Sequence, residues 1–292
     1  MKLLVKFNLI LLAIFGVCGL AIAYFAHGYL MDSAREEVEG QERLMMASAT
    51  AVRDYTATDL SPLLEQNPRH RVHFLAETIP FYGASTTFGH LRHDYPDYTY
   101  KEAALNPTNP EDRATGWQVD IINWLRDHPD QHERTGERPT VMGPALYLAR
   151  PIHATQECLR CHSMPSAAPK ALIAVYGSAN GFGWKLNEIV GAQIVSVPLA
   201  VPVQQATRAF HHLLIFLALT MIVTMAALDA GVYWFVIRPL RLVSDTADRV
   251  SRGEKNVPPV GIKGRDEIAT VAASFNRMQV SLQKALRMFD EQ

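Results

Sequence analysis

Two long apolar runs flank a polar middle, and they constrain the architecture more than any other feature. The first covers residues 3–26 and is purest over 9–25; the second covers residues 213–237 and is interrupted only by Asp229. A hydrocarbon core about 30 Å thick takes about 20 helical residues, so each run is long enough to span a bilayer. Ala21-Ile22-Ala23 would also suit signal cleavage. The first run nevertheless exceeds the roughly 7–15 apolar residues of a signal peptide, and its helical pattern continues, which favours a retained span. Lys2 and Lys6 precede the purest part of the first run, and Arg238 and Arg241 follow the second. Basic flanks stay on the cytoplasmic side. The expected division is therefore a cytoplasmic N-terminus (1–8), a first transmembrane helix (9–27), an outer, periplasmic domain (28–210), a second transmembrane helix (213–237) and a cytoplasmic module (238–292), all in an inner membrane. An ionisable group such as Asp229 in a span is a functional feature by default; the favoured expectation is a carboxylate that faces the partner helices of a dimer or reaches toward the interface.

Within the middle segment, residues 28–64 predict a helix continuing from the first span, with Val38, Leu44, Ala49, Val52 and Tyr55 in loose helical period. Arg35, Glu36, Glu37 and Glu39 read as its solvated face, and Pro62 and Asn67-Pro68 end or bend it. Asn106-Pro107-Thr108-Asn109-Pro110 is non-helical because each residue before proline is pushed toward extended backbone. Trp117, Ile121, Trp124 and Leu125 share one face of a short helix closed by His128-Pro129. Residues 145–150, 171–176 and 192–199 read as strands bounded by Gly and Pro. Helices followed by strands predict an α+β domain.

The chemistry is carried by Cys158-Leu-Arg-Cys161-His162, in the loop expected between the first two strands. Cys-x-x-Cys-His is the attachment run of c-type haem: two thioethers clamp the porphyrin vinyl groups and the adjacent histidine reaches iron as the proximal ligand. One covalent haem c on Cys158 and Cys161, with His162 on iron, is expected. A zinc knuckle needs a second ligand pair, and the remaining cysteine, Cys18, lies in the first apolar run. A thioredoxin-like redox pair would need a βαβ setting. For the sixth iron position the sequence offers His70, His73, His90, His93, His153, Met142, Met164 and Tyr82, with His73 and Tyr82 placed first and Met164 too near the motif to reach the opposite haem face.

After the second run, Pro239 follows the membrane directly, and Leu240, Val243, Ala247 and Val250 repeat at three- and four-residue spacing. A connector over 253–264 contains Pro258-Pro259, Asp266-Glu267 opens a second helix, and Ile268, Val271, Phe275, Met278, Leu282 and Ala285 repeat in the same way. Two such seams make a parallel four-helix bundle when two chains meet, so a homodimer is expected. This plan resembles the HAMP linker module of bacterial transmembrane receptors.

The outer domain resembles haem-c-binding, PAS-like sensor domains. The resemblance is carried by Tyr98-Thr-Tyr-Lys-Glu-Ala-Ala-Leu-Asn-Pro-Thr-Asn-Pro110, Arg113-Ala-Thr-Gly-Trp117, Tyr147-Leu-Ala-Arg-Pro151, Cys158 to His162, and Asn180-Gly-Phe-Gly-Trp-Lys-Leu-Asn-Glu-Ile-Val-Gly-Ala192. It implies a PAS-like antiparallel sheet holding one haem c, and a redox- or gas-sensing role. A soluble relative uses a distal cysteine; this chain has none in the outer domain beyond the haem pair, so the distal ligand does not carry over.

The leading expectation is a membrane sensor that passes a redox or diatomic-gas signal through the HAMP relay to a separate output protein. The alternative is a membrane-anchored electron-transfer cytochrome, or an accessory haem subunit of a larger complex. Catalysis is not expected: no nucleophile–base pair, phosphate loop or paired carboxylates stand in a persuasive context, and His132-Glu133 reads as surface. A net charge of -1 without a basic stripe gives no reason to invoke nucleic acid.

Overall fold

Alternation of side chains along two apolar strands explains how the outer part of the chain is layered. In the computed structural model, which describes residues 3–71, 73–141, 143–254, 256–262 and 264–290, these are β3 (Gly143–His153) and β4 (Ile189–Pro198). Nothing is described of the side chains of Leu3, His70, Arg71 and residues 285–290. β3 and β4 pair antiparallel with Leu146 opposite Val197 and Leu148 opposite Val195, while Ala149 lies opposite Ile194. Successive residues point to opposite faces of a strand, so the pair is buried on both sides. On one face Leu146, Leu148, Val195 and Val197 pack with Val38, Met45, Met46 and Ala49 of α1 (Leu3–Tyr55) and Ala84 and Phe88 of α3 (Pro80–Asp94). On the other, Tyr147, Ala149, Ala192 and Ile194 pack with Ile121, Ile122 and Leu125 of α4 (Trp117–Asp127). Each such fully buried aliphatic side chain contributes about 1.5–3 kcal/mol.

The sheet has four strands in the order β1-β4-β3-β2, with β1 (Thr99–Ala104) and β2 (Arg134–Thr140) at the edges. The fold is therefore α+β with an antiparallel sheet, a long N-terminal helix and two apolar helices. The sequence reading had found the two central strands and neither edge. Gly136 and Pro139 in β2 argue against a strand, yet proline is tolerated at an edge, and Gly136 is needed because a Cβ there would meet the Tyr147 ring at under 3 Å.

Two further expectations need correction. Residues 171–176 are not a strand but the body of α6 (Lys170–Tyr176), which starts at Pro169 and ends at Gly177 with φ +77°. A short apolar run cannot by itself distinguish strand from helix, and β4 already has partners on both edges. The Cys-x-x-Cys-His segment lies not in a loop but on α5 (Gln156–His162). The helix continuing from the first span runs to about the expected end: a π-turn over Thr56–Leu60 leads directly into α2 (Ser61–Glu65), which contains Pro62 and stops before Asn67-Pro68. The apolar face of α1 also differs in detail, since Leu44 and Tyr55 are exposed and Met45 and Met46 are buried instead.

The chain divides into two units, His27–Phe210 and Met1–Ala26 with His211–Gln292. In the second unit, the apolar part of α7 (Ala200–Val232) runs through a π-turn at Tyr233–Ile237 into α8 (Arg238–Ser251). The helical stretches Leu4–Glu65 and Ala200–Ser251 are long and apolar enough to cross a membrane, with mean hydropathies of 2.6 and 2.3 in their most apolar windows. Asp229 finds its partner within the chain: its Oδ2 accepts a 2.9 Å hydrogen bond from Asn8 Nδ2. Lys2 lies outside the described residues.

α9 (Glu267–Asp290) begins where Asp266 Oδ1 accepts from Ala269 N at 2.7 Å, an N-cap. Its buried face is Ala269, Ala272 and Gln279. The connector is tied to that face by Asn276, which donates to Val260 O and accepts from Val260 N, and by Gln279 Nε2 donating to Val257 O at 2.7 Å. The seam residues Val271, Met278 and Leu282 remain exposed.

Candidate functional site

Cys158, Cys161 and His162 lie at positions i, i+3 and i+4 of α5, which puts all three on one helical face. Both thiols are free and half-buried. Burial raises the Cys161 thiol above its ordinary value, Arg160 opposes this, and Glu65 and Cys158 add to it. Thr155 Oγ1 lies 3.4 Å from Cys158 Sγ. Burial lowers the His162 imidazole below its ordinary value, partly offset by a hydrogen bond to the Gly181 carbonyl.

That hydrogen bond fixes the tautomer. His162 Nδ1 is 2.7 Å from Gly181 O, and a carbonyl only accepts, so Nδ1 carries the proton and Nε2 keeps its lone pair. Trp184 stacks on the imidazole with ring centroids 4.1 Å apart and planes 10° from parallel. Gly183 N donates to Ser163 O at 3.1 Å and Trp184 N to His162 O at 3.3 Å, so segment 180–184 is clipped to the end of α5. Gly181 has φ +82°, and a Cβ there would lie 2.0 Å from Thr108 Oγ1; only glycine fits between the proline-rich loop and the imidazole.

A separate group of side chains comes together from elements distant in sequence. Phe74 meets the Tyr176 ring edge-on at 6.1 Å. Burial raises the Tyr176 phenol, helped by Asp112, Tyr82 and Glu111. Asp112 is pushed up to about 6, by burial first, with Lys101 opposing and Glu102 and Glu111 adding. Of the candidate sixth ligands, Tyr82 is thus close enough to act on Tyr176, and His73 adjoins Phe74 and is exposed. His90 and Met164 are exposed, His93 is paired with Asp94 at 3.1 Å, and His153 Nδ1 is 3.3 Å from Asn187 O. The His70 side chain and Met142 lie outside the described residues. Glu133 is structural, bridging Arg43 and Arg150.

Two accessible thiols and one free imidazole nitrogen form the donor set that a covalently attached metalloporphyrin requires. Among the described residues no three His, Cys, Asp or Glu side chains converge as a metal-ion cage. Sequence reading missed Gly181, Trp184 and Thr108 as neighbours of His162. Their common signal was the Gly-x-Gly-Trp run and the Asn-Pro-Thr-Asn-Pro stretch, but nothing in spacing alone says that two segments about 75 residues apart converge.

An α+β domain and a pair of seam-bearing helices, joined to two bilayer-length apolar helices, define a membrane protein of receptor-like construction. The Tll0287-like family profile matches residues 31–198, and the HAMP domain profile matches residues 231–284. The chain belongs to the Tll0287-like family and carries a HAMP domain. Among solved structures, the crystal structure of the cyanobacterial heme-protein Tll0287 matches with 15% identity and a TM-score of 0.36, covering 57% of this chain and 91% of that one. No curated protein matches.

Proposed function

We propose that this protein is a membrane-bound haem c sensor that relays a redox or diatomic-gas signal across an inner membrane to a separate output protein. The observation that carries the reading is His162, with Nδ1 committed to the Gly181 carbonyl and Nε2 free, on the same helical face as two unpaired thiols. Cys158 and Cys161 form the thioether bonds and His162 Nε2 is the proximal ligand. When bound, the haem supplies an iron centre that changes oxidation state or takes a diatomic ligand. Tyr82 and His73, both exposed, are the candidates for the distal ligand.

In this reading the haem domain (28–210) lies in the periplasm and both termini are cytoplasmic, which the basic residues flanking the spans support. Segment 180–184 leads into β4, and α7 starts at Ala200 directly after it, so a displacement at the proximal imidazole has a short covalent route to the second span. The uncovered seam at Val271, Met278 and Leu282 is the surface on which a second copy completes the HAMP bundle. A bundle with two packings is the kind of bistable element signalling uses. An electron-transfer cytochrome is favoured by one observation, the half-exposed thiols, which would hold a porphyrin near solvent, but it leaves the HAMP domain without a role.

The test is to express the chain in cells competent for cytochrome c assembly. Haem-stained denaturing gels and mass spectrometry of the wild type should show one covalent macrocycle, lost or reduced in Cys158→Ala and Cys161→Ala. An unmodified wild-type mass rejects the reading. Rapid carbon monoxide or nitric oxide binding to the reduced protein would select gas sensing; unreactive six-coordinate spectra in both oxidation states would select a redox signal.

A further inference from the structure

A histidine used as an axial ligand is tuned by what its second nitrogen meets and by how well its ring is kept from water. Here Nδ1 meets a neutral carbonyl at 2.7 Å, with the Thr108 hydroxyl at 3.4 Å. One ring face is covered by Trp184, stacked at 4.1 Å, and Phe182 stands 6.5 Å away. Both carbonyl and indole belong to one five-residue segment, anchored to α5 by the Gly183–Ser163 and Trp184–His162 backbone hydrogen bonds. Gly181 is pressed against Thr108, so the carbonyl has little freedom to withdraw.

We propose that segment 180–184 is the positioning element of the proximal imidazole: it holds Nδ1 as donor, presents Nε2 to iron, and keeps the haem potential high by shielding the ring with Trp184. This rests on the haem reading above. Trp184 is a positioning residue that acts through His162. A carbonyl partner leaves the imidazole neutral, whereas a carboxylate partner would make it more basic and a stronger electron donor to iron. Loss of the indole admits water, and a more polar surround favours the more highly charged ferric state.

The experiment compares full-length wild type, Trp184→Phe and Trp184→Leu in detergent, each with covalent haem confirmed by mass, by spectroelectrochemical titration. Trp184→Leu should shift the one-electron equilibrium at least threefold toward the oxidised form, roughly 30 mV at 59 mV per tenfold change. Trp184→Phe, which retains a stacked ring, should move less than half as far. Equal potentials in Trp184→Leu and wild type overturn the proposal while leaving haem attachment standing; absence of haem from wild type instead overturns the reading beneath it. Should Trp184→Leu fail to mature, wild type decides: the His162 Nδ1 proton, held by Gly181 and covered by Trp184, should exchange slowly with deuterium in paramagnetic proton spectra. Prompt exchange refutes the proposal.

Discussion

Replacing Glu42 by glutamine should make the outer domain more stable at alkaline pH and leave it nearly unchanged in acid. Glu42 sits on α1 at 2% exposure, and its Oε1 has no hydrogen-bond partner. It borders a polar cavity of about 60 Å³ with Arg35, Glu39, Thr135, Gly136 and Leu146. Burial pushes its carboxyl up to about 8, Glu39 adds to this, and Arg43 and Arg35 oppose it. The two arginines are drawn away, Arg35 to Glu137 and Arg43 to Glu133, each at 3.1 Å. Below pH 4.5 the carboxyl is protonated folded or unfolded. Between 4.5 and about 8 the unfolded chain releases the proton and the native state retains it, so stability falls as pH rises; above 8 the native state carries the full cost of the buried charge. A rise from 4.5 to about 8 sets a ceiling of about 5 kcal/mol, at about 1.4 kcal/mol per pH unit. The cavity has room for water, and hydration of the charge reduces this to about 2–3 kcal/mol. For a unit of this size that is about 4–12 °C in Tm. Scanning calorimetry of the full chain in detergent, with hydrogen exchange in β3 and β4 to assign the transition, should show the Tm of Glu42→Gln converging with wild type at pH 5 and exceeding it by that amount at pH 8.5. A difference that does not change with pH would refute the reasoning.

Arg53 should be costly to remove for the opposite reason. It pairs with Glu102, whose side chain is 4% exposed and also accepts from Tyr100 OH at 2.6 Å, so Arg53→Met should destabilise by about 3 kcal/mol through the stranded charge, with Glu102→Gln losing less in the same melting assay. His162→Ala should retain covalent haem and shift the Soret band, and an unchanged absorption spectrum would count against proximal ligation. Single cysteines at Val271 or Phe275 should cross-link like with like in membranes; a monomer under the same oxidation would remove the basis for a HAMP dimer.

Much of the site was legible because it depends on spacing within one short segment. Cys158, Cys161 and His162 are separated by fixed chain lengths, and any local conformation keeps them together. The central strands were legible for a related reason: β3 and β4 are buried on both faces over most of their length, so their sequences are mostly apolar. The edge strands β1 and β2 were not, since each is half solvated and carries Glu, Lys, Arg, Gly or Pro. The roles of Glu42, Gln279 and Asn276 were not legible either, because a polar residue on a helix reads as exposed unless its partner is known. Asp229 was expected to face the helices of a dimer or the membrane interface, and Asn8, 221 residues away, provides a hydrogen bond that spacing could not reveal.

From composition and order alone come the apolar lengths, the basic flanks, the two helical seams and the haem-type motif, all of which are local along the chain. What the tertiary structure decided is everything that needs two distant segments to meet: that segment 171–176 is a helix because the sheet has no place for it, that Gly181 and Trp184 hold His162 in one tautomer, and that Glu42 is sealed against β2 and β3. Such contacts are set by which surfaces can be buried together, and a linear pattern records how apolar a surface is without recording what covers it.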